Sequence, residues 1–169
     1  MTLPTWHEEP ISWKHKRMEF ACGESELDEY LQRYARKNHE NGGSKTWVAT
    51  PDGEEVLGFY SLSLASVQYQ RVPEVLARVN GRYDFPAFRL GRLAVHQTWQ
   101  GQGLGGTLLV AAARRCIRVS AEVGGSALLI DAKNERVAGW YEGLGAISLL
   151  DTPLSLLLPL ARIARAIEH

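Results

Sequence analysis

The sequence predicts a mixed α/β or α+β domain in which helices flank a central sheet. Short β-rich runs alternate with amphipathic runs at helical spacing along the chain. The 169 residues are enough for one substantial core and too few for two ordinary domains. Hydrophobic residues make up 45% and charged residues 22%, which is typical of a globular protein. We therefore predict a single domain over residues 1–169.

The N-terminal part of the chain predicts one strand and one helix after a polar, loosely held lead-in over residues 1–10. Ile11–Phe20 is the first candidate strand. Ser25 can cap the helix that follows, with Asp28 three residues later. Gly42-Gly43 ends this helix. Its apolar face is predicted from residues at helical spacing, namely Leu27, Tyr30, Leu31 and Tyr34.

The middle of the chain predicts a hairpin, a short helix and a further strand. Thr46–Thr50 and Val56–Ala65 are β-rich and flank the turn sequence Pro51-Asp52-Gly53. A short helix is predicted near Glu74–Val79, and Phe88–Val95 forms the next strand. This part is also rich in arginine.

The C-terminal part begins with a long helix over Thr107–Val123. We predict that its buried face consists of Leu109, Ala112, Cys116, Val119 and Val123. Cys116 is therefore interpreted as a packing thiol and not as a nucleophile.

Shorter elements complete the chain. Ala127–Ile130 is a strand, and Glu135 to about Leu144 is a helix. Ile147–Leu150 and Leu154–Leu158 are two closing strands, and an amphipathic helix from Leu160 ends the chain.

Four glycines stand between the strand ending at Val95 and the long helix: Gly101, Gly103, Gly105 and Gly106. Glycine lets the backbone adopt conformations that a side chain forbids. It also leaves consecutive N–H groups uncovered at the positive end of the helix dipole, where phosphate and pyrophosphate bind. We expect the ligand here.

Three phosphate-binding patterns can be compared with this loop. No lysine follows the glycines, which excludes a Walker A motif. A dinucleotide fingerprint is matched literally by Gly101, Gly103 and Gly106, but the glycines follow a late strand and not the first one. The third pattern is Gln or Arg, two residues, Gly, any residue, and Gly or Ala. Gln100, Gly103 and Gly105 satisfy it.

This third pattern resembles the pyrophosphate motif of the GNAT superfamily of acetyl-CoA-dependent N-acetyltransferases, and Arg92-Leu93-Ala94-Val95 is similar to that family's central strand. The resemblance implies the GNAT acyl-CoA N-acyltransferase fold, with acetyl-CoA as cofactor and no metal. The cofactor-binding residues that it implies are Leu93, Ala94, Val95, Gln100, Gly101, Gln102, Gly103, Leu104, Gly105, Gly106 and Asn134.

The segment from Asn134 to Ala146 also resembles this superfamily, whose aromatic-Tyr pair closes the cofactor site. Ala146 departs from the family pattern, in which a large aromatic residue occupies this place. The resemblance implies that Tyr141 is catalytic and gives a proton to the leaving thiolate, for which an ordinary pKa of about 10 is suitable. No residue stands out as a general base, and His96 is only a candidate.

A narrower resemblance involves the opening Phe20-Ala21-Cys22-Gly23, the following Leu27-to-Leu31 run and the leucine-rich end over Leu154–Leu160. These features are similar to a branch of bacterial toxins that acetylate the amino group of aminoacyl-tRNA and are paired with ribbon-helix-helix antitoxins. This resemblance implies inhibition of translation and a homodimer. A tRNA substrate requires a local basic patch, for which Arg33, Arg36, Arg89 and Arg92 are the candidates.

Composition limits the other possibilities. The formal net charge is zero, so any nucleic-acid binding must come from local patches. Neither a leader peptide nor a membrane span is expected, and two cysteines are compatible with the cytoplasm. Two alternatives stay open. One is an acetyltransferase for a small-molecule amine or a protein amine, and the other is a cofactor-binding module without turnover.

Overall fold

The computed structural model describes residues 1–167. The chain folds into two compact units. The first unit consists of Met1–Ser63 and Gly91–Ala111. The second consists of Leu64–Leu90 and the residues from Ala112 onward.

Seven strands form a mixed sheet in the order β1-β2-β3-β4-β5-β7-β6. β4 and β5 pair in parallel, whereas the pairs β1–β2, β2–β3, β5–β7 and β6–β7 are antiparallel. The mixed sheet confirms the predicted fold class. The strands are β1 (His7–Pro10), β2 (Lys45–Thr50), β3 (Gly58–Val67), β4 (Phe85–Val95), β5 (Ala127–Asp131), β6 (Ile147–Ser148) and β7 (Ser155–Pro159).

The helices agree with the predicted ones in place and differ mainly in their ends. Between α1 and α2 the helix widens into a π turn over Tyr30–Tyr34. The α-helices are α1 (Ser25–Glu29), α2 (Ala35–Asn41), α3 (Glu74–Asn80), α4 (Leu104–Val123), α5 (Glu135–Gly143) and α6 (Leu160–Ile167).

The core of the first unit packs the π turn against β3. Phe20 and Phe59 meet edge to face with their ring centroids 5.4 Å apart, and Tyr30 stacks on Phe59 at 6.5 Å.

Gly58 on β3 allows β4 and α4 to approach the backbone of β3 unusually closely. A Cβ at this position would lie 2.9 Å from the Ala94 carbonyl oxygen and 2.9 Å from Leu108 Cδ1. The start of α4 therefore packs directly on β3.

The prediction of a strand over Ile11–Phe20 was wrong. The strand is the preceding segment His7–Pro10, which pairs with β2 from His7↔Thr50 to Pro10↔Trp47. After Ile11 the chain turns, because Ser12 N donates to His15 Nδ1 at 3.0 Å. Glu9 accepts from buried His15 at 2.9 Å and pairs with Lys14 at 2.9 Å. Residues 1–10 are therefore not a loose lead-in.

The first helix also differs from the prediction at two points. Glu24 is the N-cap instead of Ser25, and the Asp28 carboxylate accepts from Cys22 N at 2.8 Å. The π turn adds a residue to the helix, which shifts every later position around the axis. Tyr34 is consequently exposed, and Ala35 takes the buried position. Gly42 ends the helix in a left-handed conformation, as predicted.

The second unit buries the apolar residues of β5 and β7. Leu129 and Leu157 are opposite each other in the antiparallel register, and both belong to this core. The predicted burial of Val119 and Val123 was wrong, since both are exposed. The buried stripe of α4 ends at Cys116, and the helix continues for about two turns beyond it. Of the two closing strands, β6 is shorter than predicted, and β7 has the predicted length but begins one residue later.

Candidate active site

The exposed part of β4 is its C-terminal half. The parallel pairing with β5 runs from Ala87↔Ala127 to Leu90↔Ile130, and β4 itself continues to Val95. Ala94 is buried, while Leu93 and Val95 are partly exposed. A strand edge of this kind offers main-chain donors and acceptors to an extended ligand.

The glycine loop follows this strand in the first unit and leads into α4. Gly101 and Gly103 have φ values of +81° and +84°, where a side chain is strained, so both positions require glycine. The first N–H groups of α4 have no partner within the helix. A Cβ added at Gly101, Gly103 or Gly106 would meet no heavy atom of residues 1–167 within 4 Å. This open space beside backbone donors fits a pyrophosphate group.

Two glutamine side chains fasten the loop. Gln100 Nε2 donates to the carbonyl oxygens of Cys22 at 2.7 Å and Val95 at 2.9 Å. Gln102 Oε1 accepts from Leu3 N at 2.8 Å, and its Nε2 donates to Met1 O at 3.0 Å. Both side-chain amides are therefore used to position the loop, which leaves the backbone N–H groups as the donors for a ligand. The sequence contained no signal for these contacts, which join residues far apart in the chain.

His96 has a structural role at the beginning of the loop. Its Nδ1 accepts a hydrogen bond from Thr98 N at 3.1 Å, and its ring meets Phe20 edge to face at 5.8 Å. The lone pair of Nδ1 is therefore engaged in holding the turn over Gln97–Trp99. This arrangement does not favour His96 as a general base.

Tyr141 lies in the second unit on α5 and is buried. Burial raises the pKa of its hydroxyl to about 12. The ring of Trp140 meets it edge to face at 4.8 Å. The carbonyl oxygen of Tyr141 accepts from Ala146 N at 3.1 Å, so the segment after α5 is hydrogen-bonded back to the last turn of that helix. The hydroxyl is thus held protonated at neutral pH in an apolar environment.

Asn134 caps α5 and is not part of the helix. Its backbone is extended, and its Oδ1 accepts from Val137 N at 2.9 Å. The seven-residue spacing of Asn134 and Tyr141 would place both on one helix face only with helical geometry at both positions, which Asn134 lacks. The amide NH₂ of Asn134 is the part of this side chain that can donate to a ligand.

The four arginines predicted to contact tRNA do not share one environment. Arg33, Arg36 and Arg92 belong to the first unit, and Arg89 belongs to the second. The Arg92 guanidinium lies 3.9 Å from the ring centroid of Tyr30, and Arg36 lies 3.5 Å from that of Trp13. Arg33 is exposed.

Arg89 is partly neutralised within its own unit. It forms an ion pair with Asp131, which also accepts from Ser155 Oγ at 2.7 Å. Arg33 and Arg92 are exposed and form no salt bridge among residues 1–167, so they are better suited than Arg89 to bind an anion.

Among residues 1–167, no group of three or more His, Cys, Asp or Glu side chains is arranged to hold a metal ion. The described helices include none whose length and apolar character would let it cross a membrane.

The exposed strand edge and the glycine loop that opens α4 fit a ligand that carries a pyrophosphate group. Comparison with known proteins specifies the class. The family model described as an acetyltransferase (GNAT) domain matches residues 42–145. The chain belongs to this family of acetyl-CoA-dependent N-acetyltransferases.

Relatives and solved structures support this assignment over almost the whole chain. A protein of Mycobacterium tuberculosis (strain ATCC 25618 / H37Rv) named tRNA-acetylating toxin is 37% identical over 148 residues, which is 88% of this chain and 87% of that protein. The probable toxin TacT of Sinorhizobium fredii (strain NBRC 101917 / NGR234) is 29% identical over 89% of this chain and 88% of its own length.

AtaT complexed with acetyl-methionyl-tRNAfMet is the solved structure of a similar protein. It has a TM-score of 0.88 and 26% identity, and the match covers 96% of this chain and 99% of AtaT. A tyrosine-to-phenylalanine mutant of KacT matches with a TM-score of 0.86 and 26% identity, over 95% of this chain and 98% of KacT.

Proposed function

We propose that this N-acetyltransferase acetylates the amino group of aminoacyl-tRNA and thereby inhibits translation as a toxin. The observation that carries the proposal is the 37% identity, over most of both chains, with a protein named tRNA-acetylating toxin. An aminoacyl ester's amine is less basic than that of a lysine, because the ester withdraws electrons. A larger fraction of it is therefore neutral at pH 7, and it needs no strong base from the protein.

The first unit supplies all the proposed cofactor contacts except that of Asn134, which belongs to the second unit. The backbone N–H groups from Gln102 to Gly106 bind the pyrophosphate of acetyl-CoA, helped by the positive end of α4. The edge of β4 at Leu93, Ala94 and Val95 pairs with the pantetheine arm. Gly101 and Leu104 shape the loop, and Gln100 fastens it. Asn134 donates from its amide NH₂ to the cofactor arm.

The second unit supplies the acid. Acetyl-CoA offers an activated thioester whose carbonyl carbon the amine attacks, with departure of the coenzyme thiolate. With acetyl-CoA bound, Tyr141 would donate its hydroxyl proton to the departing sulfur, and the proton lost by the acylated nitrogen would return through solvent to the tyrosine. Its raised pKa keeps the hydroxyl protonated at neutral pH but also makes the tyrosine a weaker acid than a thiol, so the transfer to sulfur is coupled to loss of the amine proton.

The acceptor side is assigned to the first-unit arginines. Arg92 immediately precedes the strand edge that is assigned to pantetheine, and stacking on Tyr30 fixes the plane of its guanidinium. Tyr30 is held in turn by a 2.8 Å hydrogen bond between its hydroxyl and Ser44 Oγ. Arg33, Arg36 and Arg92 bind phosphates of the tRNA, and Arg89 has a smaller share because of Asp131.

Partners and location are proposed from the same relatives. AtaT has been solved with the C-terminus of the antitoxin AtaR, and KacTA has been solved with DNA. We expect this protein to act in the cytoplasm as a homodimer and to be neutralised by an antitoxin of the ribbon-helix-helix type.

Tightly controlled induction in bacterial cells tests the proposed function, with Tyr141→Phe as the inactive control. Growth arrest by the wild type, relieved by Tyr141→Phe, is expected. Purified protein should then transfer labelled acetyl groups to charged tRNA but not to uncharged tRNA. Normal growth with soluble protein present, together with acetylation of small amines alone, would assign the enzyme to small-molecule acetylation instead.

A further inference from the structure

Two short basic segments lie together in the first unit, although they are far apart in the sequence. Residues 13–17 and residues 33–37 contain six lysines and arginines between them and no Asp or Glu. Arg36 joins the segments, with its guanidinium carbon 3.5 Å from the centroid of the Trp13 ring. Arg17 adds a second contact next to the second segment, since its Nη1 donates to the carbonyl oxygen of Gln32 at 3.3 Å. We call Trp13, Arg17 and Arg36 the tryptophan–arginine cluster.

The charges of this cluster are incompletely balanced. Arg36 pairs with Glu40 at 2.7 Å, whereas Arg17 forms no salt bridge within residues 1–167. The Nε atoms of both arginines are buried without a hydrogen-bond partner in the described part of the chain. Burial, and next the charge of Arg36, hold the pKa of Arg17 below its usual value. Two neighbouring guanidinium groups that share one carboxylate favour an incoming anion.

The flanking lysines are already paired. Lys14 pairs with Glu9 at 2.9 Å, and Lys16 lies 3.9 Å from Glu54. Arg17, Arg33 and Lys37 form no salt bridge among residues 1–167, and the charge of Arg17 acts beside that of Arg36 within the cluster. An anion with several acceptor oxygens, such as a phosphate, can accept from both guanidinium groups at once.

Trp13 adds a second kind of contact. Its side chain is 73% exposed, although tryptophan is among the side chains that gain most from burial. Arg36 stacks on the ring and fixes its plane, so the exposed indole offers a flat apolar surface beside the positive charge. Stacked aromatic rings next to arginines are the means by which proteins hold unpaired bases and the phosphates attached to them.

Hydrogen bonds connect the cluster to the candidate cofactor loop within the same unit. Gln32 Nε2 donates to Phe20 O at 3.1 Å. The two residues after Phe20 contact the turn before the loop, since Ala21 O accepts from Gln97 N at 2.8 Å and Cys22 O accepts from Gln100 Nε2 at 2.7 Å. A ligand on the cluster is thus held by the same packed layer that positions the loop.

We propose that the tryptophan–arginine cluster is a nucleotide subsite for the RNA substrate, in which Arg17 and Arg36 bind a backbone phosphate and Trp13 stacks on an unpaired base. The proposal rests on the proposed function, because it assumes an aminoacyl-tRNA substrate. It adds Trp13 and Arg17 to the acceptor side, and it assigns Arg36 a phosphate that it shares with Arg17.

The test compares Trp13→Ala, Arg17→Gln and the matched control Arg78→Gln, an exposed arginine of α3. Equilibrium binding of labelled aminoacyl-tRNA is measured from low to high salt in the presence of CoA. Affinity for acetyl-CoA is measured for each variant by calorimetry.

We expect Trp13→Ala to weaken tRNA binding about tenfold with little change in salt dependence. Arg17→Gln should weaken binding and reduce the salt slope by about one. Acetyl-CoA binding should stay unchanged in all three.

The outcomes separate the two proposals. Binding by Trp13→Ala and Arg17→Gln that equals that of Arg78→Gln would overturn the subsite while leaving the proposed function intact. Failure of the wild type to bind any aminoacyl-tRNA would overturn both. Because exposed Trp13 contributes little to the core, its variant should fold; loss of acetyl-CoA binding in that variant would show a structural role and overturn the subsite. Arg17→Lys keeps the charge and should restore most of the salt slope lost in Arg17→Gln.

Discussion

The hydroxyl of Tyr141 combines a buried position with a pKa raised to about 12 by that burial. A phenol of this kind stays protonated over the whole range in which the protein functions. The acceptor amine, in contrast, must lose its proton before it can attack. The acidic limb of the pH–rate profile should therefore reflect deprotonation of the acceptor amine. Ionisation of Tyr141 should not contribute to the profile at moderate pH.

Tyr141→Phe is expected to lower kcat by at least about a hundredfold, the usual range for loss of a general acid. Acetyl-CoA affinity should be nearly unchanged, because only one oxygen is removed. With a chemically stable amine acceptor, wild-type kcat/KM should rise as the amine is deprotonated and show no decline below about pH 11. A decline between pH 8 and 10 that is absent from Tyr141→Phe would contradict the raised pKa of the tyrosine.

Gly106→Ala tests whether the open space in the glycine loop belongs to the ligand. Gly106 lies in the first turn of α4, and a Cβ would meet no described atom within 4 Å. The change should preserve stability or raise it by up to about 1 kcal/mol, since alanine favours the helix. The rise in Tm caused by acetyl-CoA should fall sharply.

Gly139→Ala is the matched control. Gly139 lies within α5, where a Cβ also meets nothing within 4 Å among the described residues. This variant should gain similar stability and keep its response to acetyl-CoA. Equal responses in the two variants would show that Gly106 does not approach the cofactor.

At the level of whole elements, the sequence predicted where the strands and helices lie much better than how they are held. The hairpin of β2 and β3 could be predicted because the turn Pro51-Asp52-Gly53 is coded locally. β1 could not, since the segment HEEP lacks alternation and becomes a strand only by pairing with β2. The π turn is likewise determined by packing around Tyr30 and Leu31 and has no local sequence signal.

The candidate site likewise has one feature that the local sequence predicted and several contacts that it did not. The glycine spacing located the loop, because its φ values require glycine at fixed positions. The contacts of Gln100 and Gln102 and the stacking of Arg36 on Trp13 join segments distant in sequence. No periodicity in a single chain can reveal such pairs.

The cap of α5 allows the two uses of Asn134 to be separated. Asn134→Asp keeps an oxygen for Val137 N and removes the amide donor, whereas Asn134→Ala removes both. Asn134→Ala should lower the free energy of unfolding by about 1 kcal/mol, and Asn134→Asp should not. If the amide binds the cofactor arm, both variants should weaken acetyl-CoA binding in calorimetry. Normal binding by Asn134→Asp would limit this residue to capping.

For the molecule as a whole, alkaline pH should reduce stability through two buried groups. Burial raises the pKa values of Cys116 and Tyr141 to about 12, from ordinary values of 9.0 and 10.0. Between these values and about 12 the folded state retains protons that the unfolded state has lost. The free energy of unfolding therefore falls as pH rises through this window.

Cys116→Ala should remove the thiol part of this dependence. Urea unfolding from pH 8 to pH 11 should show a smaller loss of stability in the variant than in the wild type, even though the variant starts lower because of its smaller side chain. Parallel curves for the two proteins would show that the thiol does not titrate differently on unfolding.

The division of the chain into two units has a further consequence for how such proteins can change over time. The chain passes from one unit to the other within β3, again within β4 and a third time within α4. Each unit is consequently encoded by two separated stretches of the gene. A single recombination point anywhere between the codons of Leu64 and Ala111 therefore separates parts of at least one unit. New acceptor preferences should therefore arise by point substitution more readily than by exchange of gene segments between relatives.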